Sequence, residues 1–473
     1  MYNIGLDIFN KHKDRPILVY FDPDVDGLVS GLFISRALAK IGIQTSYYIN
    51  KNREHGFKLN VSSLRGYLVI AVDFEVSREE MINLVNNGVS IIVLDHHEVE
   101  ENLIHIKSAT DEAVMINNQY PFAPDEDRYL SGAGVVFEAI IRFMPEFDII
   151  EHRCLVGVTL LSDIRDIENP KAKAYLKSCF NYVPSGDDYL SYLIRSVSNK
   201  SYGFGVPRLD RNFIDFTLAP FINSMLRFGD EMKAIEFILG KPVKLHDYRE
   251  EQRNIIETMR ERALIIELTN LNIVVIDMNK FRDMYNINIT NFIGLLASKI
   301  KGVGKTTIAF VIDNGKVLRC SVRGRYDELN YFQLFKSLGF DTAGHRGAFG
   351  IKNLVYTKET WGILNECINR LDNEHKSTIN IIDSNNLSMT LLVKARKIAE
   401  NNCYCRDLYR TYIRYIGSNV KLLRSNSNKR YYEYCIDSYI IKSFREDITP
   451  ANGLILPIME KGYIQYYLTE KLS

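Results

Sequence analysis

Along residues 17 to 165, short uninterrupted apolar runs alternate with stretches in which apolar positions recur every three to four residues. The runs at 17–21, 67–72 and 90–94 read as strands, as does the more polar segment 43–49, and the periodic stretches at 28–41, 77–87, 132–144 and 152–162 read as helices. Apolar strands bounded by glycine or acidic turns and separated by helical periodicity predict an α/β fold. The expected architecture is an open, mostly parallel sheet covered by helices, with ligands gathering at the carboxyl edge of the strands.

Residues 209–240 also read as helical, and the charged stretch Asp247–Arg262 is polar on most faces, the pattern of a helix that bridges two domains. A second α/β unit follows, with strands at 272–277, 306–312 and 317–323 and helices at 289–300 and 357–371. After Asp372-Asn373-Glu374 the texture changes to alternating, tyrosine-rich runs such as 431–436 and 462–468, which predict a small β-rich domain. The expected boundaries are a first domain over 1–240, a linking helix over 241–265, a second α/β domain over 266–372 and a C-terminal β-rich domain over 373–473.

Composition narrows this picture. A chain of 473 residues, 46% hydrophobic and 25% charged, is a water-soluble protein of two or three domains. No run approaches the apolar length of a membrane span, and the start Met1-Tyr2-Asn3-Ile4-Gly5 lacks the pattern of a signal peptide, so a cytoplasmic protein is expected. Seven scattered cysteines fit reduced thiols, and Cys403 and Cys405 stand too close for an ordinary zinc pair. A formal net charge of +1 provides no global attraction for a polyanion, so any nucleic-acid binding must come from a local groove.

The candidate chemistry sits where strands end. Asp22-Pro23-Asp24-Val25-Asp26-Gly27 follows the first strand, Asp73 ends the run 68–72, Asp95-His96-His97 ends the run 91–94, and Asp163 ends the helical run 155–162. Each could be a surface acid or a helix cap on its own. Four segments that bring Asp or His to one edge of one sheet point instead to a metal cluster, because crowded carboxylates repel unless cations sit among them.

In that order these motifs resemble the DHH phosphoesterase superfamily, named for the triplet Asp95-His96-His97. Ala343-Gly344-His345-Arg346-Gly347-Ala348-Phe349-Gly350 is similar to the Gly-Gly-His loop of its accessory DHHA1 domain, and Cys320-Ser321-Val322-Arg323-Gly324 to that domain's Ser-x-Arg-Ser strand. Within the superfamily the triple-aspartate turn resembles the RecJ family of single-strand exonucleases, as do residues 130–135 and 218–223. Smaller-substrate branches carry histidine where Tyr20 stands. The chain departs from the RecJ pattern at Phe221, Met225 and Leu226, while Arg227 keeps the register.

The resemblance implies a two-metal phosphodiesterase that releases mononucleotides from single-stranded DNA in the 5′ to 3′ direction. It implies Asp73 as the bridging carboxylate, Asp22 and Asp24 on one cation, and Asp26, His96 and Asp163 on the other, the cations being about 3.5 to 4 Å apart. Mn²⁺ is the expected ion, with Mg²⁺ the alternative, because the donors mix carboxylate with imidazole. His97 is expected to face the scissile phosphate and Asp95 to orient a histidine. Arg227, Arg323, Gly344, His345, Arg346 and Gly347 are the expected substrate contacts.

Two rivals remain at this level: a hydrolase of short RNA or cyclic dinucleotides, and a catalytically silent DNA-binding scaffold. The region around Pro220 and the C-terminal hundred residues favour a longer single-strand track over the first, and the intact ligand set argues against the second. The C-terminal Tyr412, Tyr431, Tyr432, Tyr434, Lys421, Arg424, Lys429 and Arg430 fit a stacking platform for single strands and ordinary strand packing equally well. Gly302-Val303-Gly304-Lys305-Thr306-Thr307 resembles a P-loop only superficially, since Lys299 replaces the required glycine and a strand follows rather than a helix.

Overall fold

The computed structural model describes residues 2–51, 54, 56–74, 76–97, 112–120, 123–163, 169–184, 188–198, 209–243, 248–284, 287–301, 305–325, 329–345, 347–352, 354, 357–374, 380–384, 411–415, 420–426, 431–436, 439–443, 453–460 and 463–471. The chain forms two compact units: Met1–Asn117 with Leu218–Lys376, and Asn118–Thr217 with Ser377–Ser473.

The first unit opens with α1 (Tyr2–His12), β1 (Ile17–Phe21), α2 (Val25–Lys40), β2 (Thr45–Ile49), β3 (Leu68–Val72), α3 (Arg78–Asn86), β4 (Ser90–Asp95) and β5 (Ala113–Asn117). The five strands form an entirely parallel sheet in the order β2-β1-β3-β4-β5. β1, β3, β4 and β5 are buried at every position, as uninterrupted apolar runs require when helices cover both faces. α2 follows β1 at once because Asp24 caps it, its side chain accepting from the Gly27 amide at 3.0 Å. The helix therefore begins at Val25, three residues before the sequence periodicity shows it, and Asp26 lies in its first turn.

The second unit contributes α4 (Gly132–Ile141), capped by Ser131, then α5 (Ile150–Ser162), α6 (Pro170–Phe180), α7 (Tyr189–Ser198) and the short α8 (Arg211–Phe213). Its helices enclose a polar knot in which Lys171 pairs with Asp127 at 2.5 Å and Glu138 at 2.8 Å, while Tyr175 donates to Glu138. Buried charges are tolerated there because each has an opposite partner.

A π turn at Ile214–Leu218 precedes α9 (Ala219–Arg227), α10 (Glu231–Ile238) and α11 (Tyr248–Arg262), which belong to the first unit. α11 is polar on most faces, yet Tyr248, Gln252, Ile255, Ile256 and Met259 make a narrow buried stripe. The stripe docks on a second sheet built from β6 (Leu264–Glu267), β7 (Leu271–Asp277), β8 (Thr306–Asp313), β9 (Lys316–Arg323), β10 (Thr342–His345) and β11 (Ala348–Ile351), with α12 (Ile293–Lys301), α13 (Tyr331–Ser337) and α14 (Lys358–Glu374). This mixed sheet runs β10-β11-β9-β8-β7-β6. β8 divides its side chains by period two: Ala309 and Val311 face Ile255, Ile256 and Met259, while Ile308 and Phe310 face Tyr331, Phe335 and Trp361.

Beyond residue 380 the second unit holds a seven-stranded mixed sheet of β12 (Asn380–Ser384), β13 (Thr411–Tyr415), β14 (Val420–Asn426), β15 (Tyr431–Ile436), β16 (Tyr439–Ser443), β17 (Gly453–Glu460) and β18 (Tyr463–Lys471). The expected α/β class with a β-rich C-terminal region is thus observed. Residues Gly302–Gly304, Arg346, Cys403, Cys405, Lys429 and Arg430 lie outside the described residues. Among the described residues no helix is long and apolar enough to cross a membrane.

Candidate metal centre

Parallel register builds the centre. Phe21 pairs with Val72, Val72 with Leu94, and Asp95 with Asn117, so the residues at the carboxyl ends of β1, β3, β4 and β5 form a row: Asp22, Asp73, Asp95, Asn117. Neighbouring strands stand about 4.8 Å apart, which sets the spacing of the row. The Asp73 amide donates to Leu94 O at 2.8 Å, extending the β3–β4 ladder by one bond while its φ of 68° turns the chain off the strand. A left-handed aspartate is uncommon and costs backbone energy, as residues at functional sites often do.

Two groups of potential ligands emerge in the first unit. Asp22, Asp24 and Asp73 bring carboxylate oxygens within 4.8 Å of one another, and so do Asp73, Asp95, His96 and His97 with their ring nitrogens. Asp73 belongs to both groups. His96 Nε2 lies 3.1 Å from Asp73 Oδ1 and 3.7 Å from Asp26 Oδ2, with all three residues buried. Two full negative charges at such separations repel by about 3 kcal/mol even at an effective dielectric near 20. Cations relieve that repulsion, and a set of hard carboxylate oxygens with an imidazole nitrogen fits Mn²⁺ or Mg²⁺. The residues therefore fit a divalent metal.

Glycine makes the turn possible. A β-carbon at Gly27 would stand 2.4 Å from Asp22 O, and one at Gly31 would stand 2.0 Å from the Phe21 ring. The two glycines let α2 lie directly against the end of β1, so that Asp22, Asp24 and Asp26 share one small volume.

His97 is held differently. Its Nδ1 lies 2.7 Å from Asp95 Oδ1. Burial alone would raise the Asp95 pKa, but the charge and hydrogen bond of His97, joined by His96, outweigh it and keep the carboxyl below its usual range. An ionised carboxylate only accepts, so Nδ1 carries the ring proton. The His97 side chain is 37% exposed against 1% for Asp95, which makes the ring the part of this pair that a substrate can reach.

Tyr20 stands one residue before the end of β1. Its hydroxyl donates to Asn50 and accepts from the Lys58 amide at 3.0 Å, and its ring meets Tyr48, Phe57 and Phe74 edge-on. Burial pushes the phenol pKa well up. Tyr20 and Asn50 thus anchor the segment after β2 to the carboxyl edge. Sequence reasoning missed this latch and also Asn117, because neither residue type stands out without knowing which strands are neighbours.

The remaining expected site residues are placed as follows. Asp163 is the C-cap of α5, in the second unit. Arg227 ends α9, and its carbonyl accepts from Asn291 Nδ2 at 3.1 Å. Arg323 turns its guanidinium inward to Ser298 Oγ at 3.1 Å and Ser321 Oγ at 2.9 Å. Gly344 has φ 135°, and a β-carbon there would meet Ala348 O at 2.7 Å, so the β10–β11 hairpin requires glycine. Gly347 O accepts from the Gly324 amide at 2.8 Å, and His345 is the last residue of β10.

The chain is similar to known proteins in sequence and in fold. Residues 16–160 match the DHH family, N-terminal domain. A Bacillus subtilis SPbeta prophage-derived protein, YorK, named as a single-strand DNA-specific exonuclease, is 27% identical over 229 residues, covering 46% of this chain and 36% of its own. The single-stranded-DNA-specific exonuclease RecJ of Bacillus subtilis is 21% identical over 346 residues, covering 69% of this chain and 41% of its own. The chain thus matches well under half the length of these curated relatives. The crystal structure of Thermus thermophilus RecJ in complex with Mn²⁺ shares the fold with a TM-score of 0.66 at 16% identity, covering 99% of this chain and 71% of that one. Residues 16–160, which carry the Asp95-His96-His97 triplet, are thus similar to the DHH family, N-terminal domain.

Proposed function

We propose that this protein is a metal-dependent phosphodiesterase that removes mononucleotides from the 5′ end of single-stranded DNA. The observation that carries the reading is the row Asp22, Asp73, Asp95 at the carboxyl edge of one parallel sheet, with His96 and His97 beside it. The relatives named for single-strand DNA-specific exonuclease activity supply the substrate class.

In this reading Asp22, Asp24 and Asp73 hold one divalent cation, and Asp73, Asp26 and His96 a second, with Mn²⁺ the expected ion and Mg²⁺ the alternative. The resemblance assigns Asp163 to the second ion. The bound cations would supply Lewis acidity toward the phosphate oxygens and lower the pKa of a water nucleophile. The chain's own residues do the rest. Asp73, held by the hydrogen bond its main-chain amide donates to Leu94 O, fixes the spacing of the two ligand groups. Asp95 keeps the proton of His97 on Nδ1, which leaves Nε2 as the ring nitrogen able to take a proton from the attacking water and pass it to the departing sugar oxygen.

The test is to incubate the full chain with Mn²⁺ and single-stranded DNA or RNA, from about two to several tens of nucleotides, labelled separately at each end. The reading expects a 5′-labelled mononucleotide at once and a shrinking ladder from the 3′ label. Cleavage confined to dinucleotides or short RNA would replace the substrate class, and no cleavage with tight DNA binding would favour a scaffold.

A further inference from the structure

At the carboxyl end of β5 stands Asn117, outside every motif of the metal site. It pairs in register with Asp95 and is buried. Its Nδ2 donates to Asp95 Oδ2 at 3.3 Å and to the His97 main-chain carbonyl at 3.1 Å. The two hydrogens of one planar amide therefore reach both ends of the Asp95-His96-His97 segment. Asp95 Oδ1 is left to take the Nδ1 proton of His97 at 2.7 Å.

We propose that Asn117 is a positioning residue of the hydrolytic centre, its amide locking the Asp95 carboxylate and the His97 backbone so that His97 holds a single tautomer with Nε2 as the ring acceptor. The side-chain chemistry accounts for the choice of residue. A carboxylate at 117 would set like charge against Asp95 in a buried site, and a cation would compete with His97 for the Asp95 charge. A hydroxyl supplies one donor where two acceptors must be met, and an aliphatic chain supplies none. A neutral amide at the end of the adjacent strand meets both acceptors without altering the charge that Asp95 presents to His97. Groups that hold a catalytic imidazole in one orientation are typically worth about 10- to 100-fold in activity.

This inference rests on the phosphodiesterase reading for its kinetic arm, and a second arm is independent of catalysis. The full chain is prepared as wild type, Asn117→Leu and Asn117→Ser, with ¹⁵N-labelled histidine; of the nine histidines, His97 is assigned by comparison with His97→Gln. Expected for Asn117→Leu is a kcat about 10- to 100-fold lower at saturating Mn²⁺, with the oligonucleotide KM within about threefold, and a His97 ring spectrum that changes from one tautomer to a mixture. Asn117→Ser is expected between wild type and Asn117→Leu in both readouts, and it carries the test if the leucine variant fails to fold. A folded variant with unchanged kcat and an unchanged His97 tautomer would overturn the inference, as would a raised KM at constant kcat. If the wild type cleaves no single-stranded DNA, the ring spectrum still decides. Loss of the single tautomer then upholds the positioning role while the hydrolase reading fails, and its retention overturns the role.

Discussion

Asp73 links the two ligand groups of the first unit, being a member of both. Its removal is expected to lower cleavage by at least about 10²-fold while single-strand binding persists, checked by pairing end-label kinetics with a gel-shift titration; unchanged cleavage would remove it from the centre. Gly27 and Gly31 separate two kinds of damage. Gly31→Ala drives a methyl into the Phe21 ring and is expected to cost about 1–3 kcal/mol in urea unfolding. Gly27→Ala collides with the main chain of Asp22 itself, so its larger effect should appear in Mn²⁺ affinity by calorimetry. At the opposite edge of the sheet, burial depresses the pKa of His12 despite the pull of Glu112, and burial of Glu112 is outweighed by bonds from Lys11 and Ser90 that hold its own pKa down. Both folded values lie below the ordinary ones, so the stabilisation is present above those ordinary values and is lost as pH falls, first below about 6.5 for His12 and then below about 4.5 for Glu112. Urea midpoints measured against pH should decline on acidification, and His12→Gln should flatten the upper part of that decline.

Among the elements, α11 shows how a few apolar residues decide a helix's place. Met259 is fully buried between β7, β8 and α12, and Met259→Ala is expected to destabilise the protein by about 2–5 kcal/mol in urea unfolding, whereas exposed Arg253 should tolerate alanine. The helix's charged sequence predicts a bridge between two domains with a narrow apolar stripe, and five positions on one stripe are buried. β1, β3, β4 and β8 are legible because they are largely apolar runs, and the acids at the ends of β1, β3 and β4 point to a metal cluster. β5, with alanine and methionine among its few residues, has weak strand character and went unread, and with it Asn117. α1 and α6 go unread because their apolar residues are spread among polar ones, and α7 goes unread although its apolar residues recur at helical spacing. Pairing register, which aligned Asp22 with Asp73 and Asp95 with Asn117, is a property of neighbouring strands and has no signature within one of them.

For the whole molecule, metal binding at this site is expected to be coupled to folding. Carboxylates gathered without cations oppose the folded state, so saturating Mn²⁺ at about 100 times its Kd should raise stability by about 2.7 kcal/mol per site, read as a concentration-dependent rise in Tm that EDTA reverses. A Tm indifferent to Mn²⁺ would count against the centre as a metal site. The left-handed backbone of Asp73 adds a consequence for evolvability. A glycine at that position would adopt φ 68° without penalty and would remove a buried charge from among Asp22, Asp24 and Asp95. Asp73→Gly is therefore expected to leave the metal-free protein at least as heat-resistant as the wild type while abolishing its response to Mn²⁺. Selection for robustness alone would drift toward glycine here, so an aspartate at this position is expected only where its carboxylate has a use beyond stability.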